Sequence, residues 1–146
     1  MKILMVCLGN ICRSPLAHGI LAHMAKEENL DWEIDSAGTG NWHIGQCPDR
    51  RSIAIAKSYG VDISTQRARQ FAKEDFQLYD HILVMDHDNF ADVLDLTENV
   101  EEKAKVKLFL GDDVVPDPYY DNDLFDPVYQ MIAKRCKVLL KELKDH

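Results

Sequence analysis

The feature that most constrains the fold is a short apolar run at residues 3–6, which leads into a polar loop and then into a helix. A run of four apolar residues predicts a strand that is buried on both faces, as in parallel sheets. Ser14 as N-cap, followed by Pro15 in the first turn, predicts a helix that extends to about Glu28. The chain is therefore expected to begin as strand, loop and helix.

The same alternation continues along the chain. Apolar runs predict further strands, and periodic apolar positions predict further helices. The strands are expected at 32–35, 81–85 and 106–110, and the helices at 53–59, 89–94 and 124–143. Strands that alternate with helices predict an α/β fold, a doubly wound parallel sheet flanked by helices on both faces. Ligands of such sheets bind at the carboxyl ends of the strands, where the first loop lies.

Length and charge narrow the class of protein. With 146 residues, of which 46% are hydrophobic, the chain is expected to form one domain, 1–146, that folds without disulfides or metal. The net charge of −8 argues against nucleic-acid and membrane-surface partners. The chain has no apolar run of ~20 residues, and we expect no secretory leader because the apolar stretch in residues 1–7 is too short for one. We therefore expect a soluble, cytoplasmic protein. The four cysteines lack a zinc-binding spacing and are expected to be reduced thiols.

The loop between the first strand and its helix carries the motif Cys-x5-Arg-Ser. A loop of this length turns successive backbone N–H groups inward at the positive end of the helix dipole. We predict an anion-binding nest that suits a phosphate. It consists of Leu8, Gly9, Asn10, Ile11, Cys12, Arg13 and Ser14. Gly9 and Asn10 are expected to supply the positive φ that the curl of the loop needs.

The same loop surrounds Cys7. Inward N–H groups, a helix N-terminus and the guanidinium of Arg13 all favour a thiolate, which is the reactive form of cysteine. The planar fork of Arg13 also suits two phosphoryl oxygens. Ser14 is expected to donate its hydroxyl to the sulfur while capping the helix. The alternative is that Cys7 is only an apolar residue at a strand end and Ser14 only a cap; the combined motif favours a nucleophile.

Two segments, residues 7–15 (Cys-Leu-Gly-Asn-Ile-Cys-Arg-Ser-Pro) and 115–120 (Val-Pro-Asp-Pro-Tyr-Tyr), resemble the low-molecular-weight protein tyrosine phosphatase family. The resemblance covers nearly the whole chain, through 35–42, 68–70 and 85–86. It implies a phosphotyrosine phosphatase I-like fold with a four-stranded parallel sheet. It also implies hydrolysis of phosphotyrosine in proteins through a phosphocysteine intermediate on Cys7, without cofactor or metal.

This chemistry needs a proton donor, because a tyrosyl oxygen leaves poorly as an anion. Asp117 lies between two prolines, and the resemblance assigns it as the general acid. In the second step the same carboxylate would act as the base that activates water. The spacing alone leaves its acidic neighbours as alternatives. These are Asp112, Asp113, Asp121, Asp123 and Asp126.

The resemblance also implies a deep slot for the phenyl ring of the substrate. Trp42, Tyr119 and Tyr120 would form its walls, together with the apolar side chain of Ile11. A phosphoserine would be too short to reach Cys7 in such a slot. The alternative for Trp42 and the tyrosines is that they are partly buried packing residues.

Cys12 lies in the same loop as Cys7. The resemblance implies that the two cysteines form a reversible disulfide, which protects the nucleophile from over-oxidation. Gln66 stands where the family often has a histidine that orients the loop asparagine. We therefore expect Asn10 to be held by Gln66 or by Ser36 instead.

Other functions of the same fold stay open at this point. An arsenate reductase would need a further pair of cysteines, which the segment 85–95 lacks, and a phosphoarginine phosphatase tends to have Thr in place of Ile11. A phosphate-binding module without turnover would not need both Cys7 and Asp117. The expected partners are phosphotyrosine proteins and a cognate tyrosine kinase, and we expect a monomer or a weak dimer.

Overall fold

The computed structural model describes residues 1–145. Its strands are β1 (Lys2–Cys7), β2 (Glu33–Gly38), β3 (His81–Val84) and β4 (Val106–Leu108). Its helices are α1 (Arg13–Glu27), α2 (Arg50–Ser58), α3 (Asp75–Leu78), α4 (His87–Leu94), α5 (Val100–Lys105) and α6 (Phe125–Lys144), with a 3-10 turn at Asn122–Leu124. The four strands form one sheet in the order β2-β1-β3-β4, and all of its strand pairs are parallel. The predicted α/β fold is confirmed.

The central strand β1 is apolar throughout because its side chains alternate between two cores. Ile3 and Met5 face a core that α1 and α6 cover. Leu4 and Val6 face a second core, to which α3 and α4 contribute. Helices therefore lie on both faces of the sheet, as the alternating pattern predicts. None of the helices in residues 1–145 has the length and apolar character needed to cross a membrane.

The order of the strands creates a crevice at the carboxyl end of β1. After β2 the chain crosses to the opposite side of β1 to form β3, and such a reversal leaves the carboxyl ends of β1 and β3 open to a ligand. Met85, directly after β3, donates its N–H to the carbonyl of Val6 at 3.0 Å. The N–H of Val115 donates to the carbonyl of Met85 at 2.8 Å. Three distant segments of the chain therefore meet at one edge of the sheet.

Several element boundaries differ from those the sequence predicts. Apolar periodicity does not predict α3 and α5, because helices of four and six residues are too short to show a helical period. Helix α2 begins at Arg50 rather than at 53, since the side chain of Asp49 caps its first turn. Strand β2 continues past 35 to Gly38, because it still pairs with β1 as far as Cys7. Strand β4 ends at Leu108, before the expected limit of 110.

The start of α1 also differs from the prediction. The helix begins at Arg13, and its N-cap is Cys12, which makes no capping hydrogen bond through its side chain. Ser14 lies inside the first turn, so its predicted role as N-cap is wrong. Its hydroxyl is free for other contacts and lies 3.0 Å from the sulfur of Cys7. Pro15 fits there because residues of the first turn have no intrahelical acceptor for their N–H groups.

Gly38, at the end of β2, supports the loop after β1 from behind. A Cβ atom at Gly38 would lie 2.7 Å from the carbonyl oxygen of Leu8 and 3.1 Å from the backbone nitrogen of Asn10. The backbone of Gly38 is itself held by Arg69 and Phe71, through hydrogen bonds of 2.8 and 2.7 Å. Neither side of this contact has room to move, so glycine is required here for space.

We expect Gly38→Ala to lower the free energy of unfolding by about 3 kcal/mol, because the added methyl group meets backbone atoms rather than a flexible side chain. Gly60→Ala is the matched control: Gly60 has a φ of 85° but no atom within 4 Å of an added Cβ. This variant should lower the free energy of unfolding by only about 1 kcal/mol, which is the strain of an alanine at this positive φ. Urea unfolding measures both, and equal losses would contradict the steric role of Gly38.

Candidate active site

The loop between β1 and α1 turns its carbonyl groups away from its centre. The carbonyl oxygen of Cys7 accepts a hydrogen bond from Thr39, and that of Leu8 accepts one from Gly40, both at 2.9 Å. By contrast, no N–H group from Leu8 to Ser14 reaches an acceptor within residues 1–145. Backbone donors in folded proteins are nearly always paired. A run of unpaired donors at the start of a helix is an arrangement that binds a tetrahedral anion such as phosphate.

Asn10 provides the curl of this loop. Its φ of 57° lies in the left-handed region, as predicted. Gly9 is not among the residues with positive φ, so its predicted conformational role is wrong. Its small size serves a different purpose, because a Cβ on Gly9 would lie 3.1 Å from Cδ2 of His43. The glycine makes room for the imidazole ring.

The sulfur of Cys7 lies at the end of a directed chain of hydrogen bonds. The backbone N–H of Arg69 donates to Oδ1 of Asn10 at 3.1 Å, which fixes the orientation of the amide group. Nδ2 of Asn10 then donates to the hydroxyl of Ser14 at 2.8 Å. The hydroxyl oxygen thus accepts from Asn10, and its proton can point to the Cys7 sulfur, 3.0 Å away. The chain of hydrogen bonds thus allows the hydroxyl of Ser14 to donate to the sulfur.

The predicted support of Asn10 by Gln66 or Ser36 is therefore wrong. Gln66 instead donates from Nε2 to the carbonyl of Pro15 at 3.1 Å. Ser36 is paired with the ring of His18, at 3.1 Å from Nδ1, and burial lowers the pKa of His18 below its ordinary value. Both side chains thus bind residues of α1. The group that holds Asn10 is instead the backbone N–H of Arg69.

Arg13 is held rigidly under the same loop. Only 3% of the residue is exposed, and its Nη1 donates to Oδ2 of Asp86 at 2.7 Å and to the carbonyl of Val115 at 3.0 Å. Burial alone opposes its charge, but the nearby Cys7 and Asp86 outweigh that effect and raise the pKa of Arg13 above its ordinary value. The guanidinium is therefore a fixed positive charge beside the sulfur.

Asp86 was not singled out as a site residue from the sequence. Its position two residues after the end of β3, the neighbour of β1, is the signal that indicates it, because parallel strands end at the same edge of a sheet. Its Oδ1 accepts the N–H of Asn89 at 2.8 Å and caps α4, while Oδ2 binds Arg13. One carboxylate thus anchors the arginine to the start of a helix.

The structure distinguishes Asp117 from the other acidic side chains of residues 112–126. It alone among them lines the pocket above the loop. Its Oδ2 lies 3.8 Å from Nη2 of Arg13, and its Oδ1 accepts the N–H of Tyr119 at 3.1 Å. Of the competing residues, Asp121 caps the 3-10 turn and Asp126 binds the hydroxyl of Tyr59. The side chain of Asp117 is 38% exposed, so solvent reaches the carboxylate.

The pocket above the loop measures about 340 Å³. Its lining consists of Cys7, Leu8, Gly9, Ile11, Cys12, Arg13, Trp42, His43, Asp117, Tyr119 and Tyr120. Trp42 is 66% exposed and Tyr120 is 91% exposed, so neither is a buried packing residue. Tyr119 packs edge-on against Tyr120, with ring centroids 4.9 Å apart. His43 was not indicated by any motif, although it follows Trp42 directly.

Cys12 lines the same pocket as Cys7, and both are buried free thiols. Burial, reinforced by the negative charge of Asp49, raises the pKa of Cys12 above its ordinary value. Cys12 is therefore a neutral thiol beside the nucleophile candidate. The remaining cysteines lie elsewhere: Cys47 is exposed, and Cys136 is buried in the core beneath α1.

Comparison with known proteins adds independent findings. The family model described as low molecular weight phosphotyrosine protein phosphatase matches residues 2–146. The human protein of that name is 39% identical over 150 residues, which cover 97% of this chain and 94% of the human one. A crystal structure of a protein tyrosine phosphatase from Entamoeba histolytica has a TM-score of 0.93 at 34% identity, covering 99% of this chain and 97% of that chain. A Drosophila arginine phosphatase has a TM-score of 0.90 at 32% identity, covering 99% and 98%.

The donor arrangement predicts that Cys7 reacts selectively with anionic reagents. Iodoacetate at pH 6 should carboxymethylate Cys7 faster than the exposed Cys47, because the loop N–H groups and Arg13 attract the carboxylate of the reagent to the Cys7 sulfur. Inorganic phosphate should protect Cys7, and Ser14→Ala should slow the reaction at least about fivefold. Peptide mass spectrometry measures each site, and preferential labelling of Cys47 would contradict the prediction.

Proposed function

The chain belongs to the low molecular weight phosphotyrosine protein phosphatase family and is a protein-tyrosine phosphatase, and we propose that Cys7 is its nucleophile and Asp117 its general acid and base. The observation that carries this proposal is the set of donors that belongs to the loop after one sulfur. The hydroxyl of Ser14 lies 3.0 Å from the sulfur, the charge of Arg13 interacts with it, and the N–H groups of residues 8–14 in the same loop are unpaired. Asp117 lines the same pocket, which supports its proposed role.

In the first step the thiolate of Cys7 attacks the phosphorus atom, so that a S–P bond forms and the P–O bond to tyrosine breaks. The loop N–H groups and Arg13 bind the phosphoryl oxygens, whose charge is spread in the transition state. Asp117 transfers its proton to the departing tyrosyl oxygen. The carboxyl group lines the same pocket as Cys7 and its side chain is 38% exposed, so it is accessible to a leaving group bound there.

In the second step the ionised Asp117 takes a proton from water, which attacks the phosphocysteine. The S–P bond breaks, inorganic phosphate leaves, and the electron pair returns to the sulfur. The hydroxyl of Ser14, 3.0 Å from that sulfur, stabilises the departing thiolate. Asn10 supports this role because its amide group leaves the serine proton directed to the sulfur.

The lining of the pocket supports phosphotyrosine rather than phosphoarginine as the substrate. Three exposed aromatic side chains, Trp42, Tyr119 and Tyr120, offer apolar faces to a flat ring, and Ile11 adds an apolar surface near the sulfur. A guanidinium leaving group would find fewer polar partners there. The similarity to a Drosophila arginine phosphatase makes phosphoarginine the second candidate, and peptides carrying either group compare the two directly.

We further propose a setting for this activity. A nucleophilic thiol needs a reducing compartment, and the four cysteines of the structure are free, which supports the cytoplasm. A tyrosine kinase that phosphorylates the substrate proteins would be the matching partner. Tyr120, almost fully exposed at the rim of the pocket, supports at most a weak dimer of an otherwise monomeric protein.

Hydrolysis of p-nitrophenyl phosphate tests the two principal roles. The parent should give a burst of p-nitrophenol and an activity optimum below pH 7, because its proton donor is a carboxylic acid. We expect no turnover in Cys7→Ser, and in Asp117→Ala a loss of about 10²–10⁴-fold, the usual contribution of a general acid. Asp112→Ala, at an exposed position outside the pocket, should retain full activity.

The intermediate itself is open to direct measurement. Mass spectrometry of acid-quenched reactions should find phosphate on the peptide that contains Cys7. Phosphate on another residue, or a fully active Cys7→Ser variant, would refute the assignment. If phosphoarginine peptides gave a higher kcat/KM than phosphotyrosine peptides, the substrate assignment would be wrong and the nucleophile would stand.

Cys12 should protect Cys7 during oxidation. Peroxide converts the Cys7 thiolate to a sulfenic acid with release of hydroxide, and the neutral Cys12 thiol then condenses with it to form a disulfide and water. Dithiothreitol should restore the parent enzyme after peroxide treatment. Cys12→Ser should recover far less activity, because its Cys7 oxidises further to the sulfinic acid. Equal recovery of both proteins would argue against this role.

A further inference from the structure

Arg51, in the first turn of α2, makes an unusual set of contacts for a residue outside the catalytic pocket. Its Nε and Nη2 bind the two carboxylate oxygens of Asp49 at 2.9 and 2.8 Å. Its Nη1 donates to Oδ1 of Asn122 at 2.7 Å. The guanidinium carbon also lies 4.5 Å from the ring centroid of Phe125 and 5.4 Å from that of Tyr119. One side chain therefore contacts α2, the Tyr119 segment and the start of α6.

The segment that Arg51 contacts carries both the general acid and part of the slot. After Val115 it forms no strand, and its conformation depends on contacts with other segments. Within it, the N–H of Tyr119 donates to Oδ1 of Asp117 at 3.1 Å, so the tyrosine and the acid are coupled. Arg51 contacts the Tyr119 ring and binds Asn122 just beyond it. These contacts restrain the wall of the slot at two points.

We propose that Arg51 is a positioning residue that fixes the Tyr119 wall of the slot and thereby gives the enzyme part of its selectivity for aryl phosphates. This deepens the proposed function and rests on it. The planar guanidinium suits the role because it forms a two-pronged pair with a carboxylate and stacks on aromatic rings at the same time. A lysine at this position would supply charge alone.

The anchor of this arrangement persists at acid pH. The hydrogen bonds from Arg51 hold the pKa of Asp49 below its ordinary value. Asp49 also caps α2 by accepting the backbone N–H of Arg51 at 2.8 Å. The carboxylate is therefore bound to both the backbone and the side chain of Arg51. An enzyme that works below neutrality keeps this pair ionised.

Two inhibitors that differ only by a ring isolate the role of the wall. Methylphosphonate occupies the anion nest, whereas benzylphosphonate also needs the slot. In Arg51→Met we expect the inhibition constant of benzylphosphonate to rise about five- to tenfold, the contribution of a lost ring contact and a loosened wall. The constant for methylphosphonate should stay within about twofold, since the nest is unchanged. A general loss of structure would raise both constants together.

Arg50→Met is the matched control. Arg50 is exposed, precedes Arg51 in the same turn and makes no hydrogen bond or ion pair with the described residues. Both inhibition constants should remain at their parent values. If the ratio of the two constants in Arg51→Met stays within about twofold of the parent ratio, Arg51 has no positioning role and the proposal is overturned.

Two milder variants keep the test decisive if Arg51→Met does not fold. Arg51→Lys retains the charge but loses the planar, two-pronged guanidinium. Its inhibition constant for benzylphosphonate should still rise by at least about half of the increase expected for Arg51→Met. Asn122→Ala removes a single hydrogen bond and should raise that constant about two- to threefold. Full rescue by lysine would show that charge alone acts, which contradicts the proposal.

The outcome can be separated from that of the proposed mechanism. Calorimetric titration of both phosphonates into Cys7→Ser, with and without Arg51→Met, measures the slot without turnover. A fully active Cys7→Ser variant would refute the role of Cys7 and leave this ratio meaningful. A normal burst with an unchanged phosphonate ratio would refute only the role of Arg51.

Discussion

The constraint on which the rest of the structure depends is the loop of unpaired hydrogen-bond donors that follows Cys7. Unpaired backbone donors cost about 1–3 kcal/mol each when they are buried, so a chain keeps such a cluster only where other contacts hold it in place. Here the outward carbonyls of Cys7 and Leu8 are bonded to the strand-end residues Thr39 and Gly40. Gly38 leaves no space behind the loop. These contacts hold the loop in a conformation whose N–H groups lack a protein acceptor, and a bound anion would pair with them.

The two carboxylates near Arg13 differ in how firmly they are held, and this difference suits their chemistry. Asp86 is bound at 2.7 Å and caps a helix, so it orients the arginine. Asp117 lies 3.8 Å away on a segment without regular structure, and its side chain is more exposed, at 38% against 26% for Asp86. A loosely held carboxyl group that solvent reaches is accessible to a bound substrate, whereas one fixed between an arginine and a helix is not. Arg51 contacts that segment at the Tyr119 ring and at Asn122.

Long-range contacts explain most of the differences between the expected and the observed site. Asn10 was expected to meet a side chain, Gln66 or Ser36, but is held by the backbone N–H of Arg69, 59 positions away. A backbone donor has no residue-type signature, so no motif could indicate it. The predicted capping role of Ser14 is wrong for a related reason: serine before proline favours a cap locally, but the nearby Cys7 sulfur competes for its hydroxyl.

The sequence by itself determined the strand, loop and helix around Cys7, the parallel α/β architecture and the family, because apolar runs and a contiguous motif are local properties of the chain. Only the tertiary structure decided which of several aspartates lies above the sulfur, that Asp86 anchors Arg13, and that Arg51 restrains the slot. Those choices depend on which loops meet at the carboxyl ends of β1 and β3. That meeting is set by strand order, which the spacing of residues along the chain does not encode.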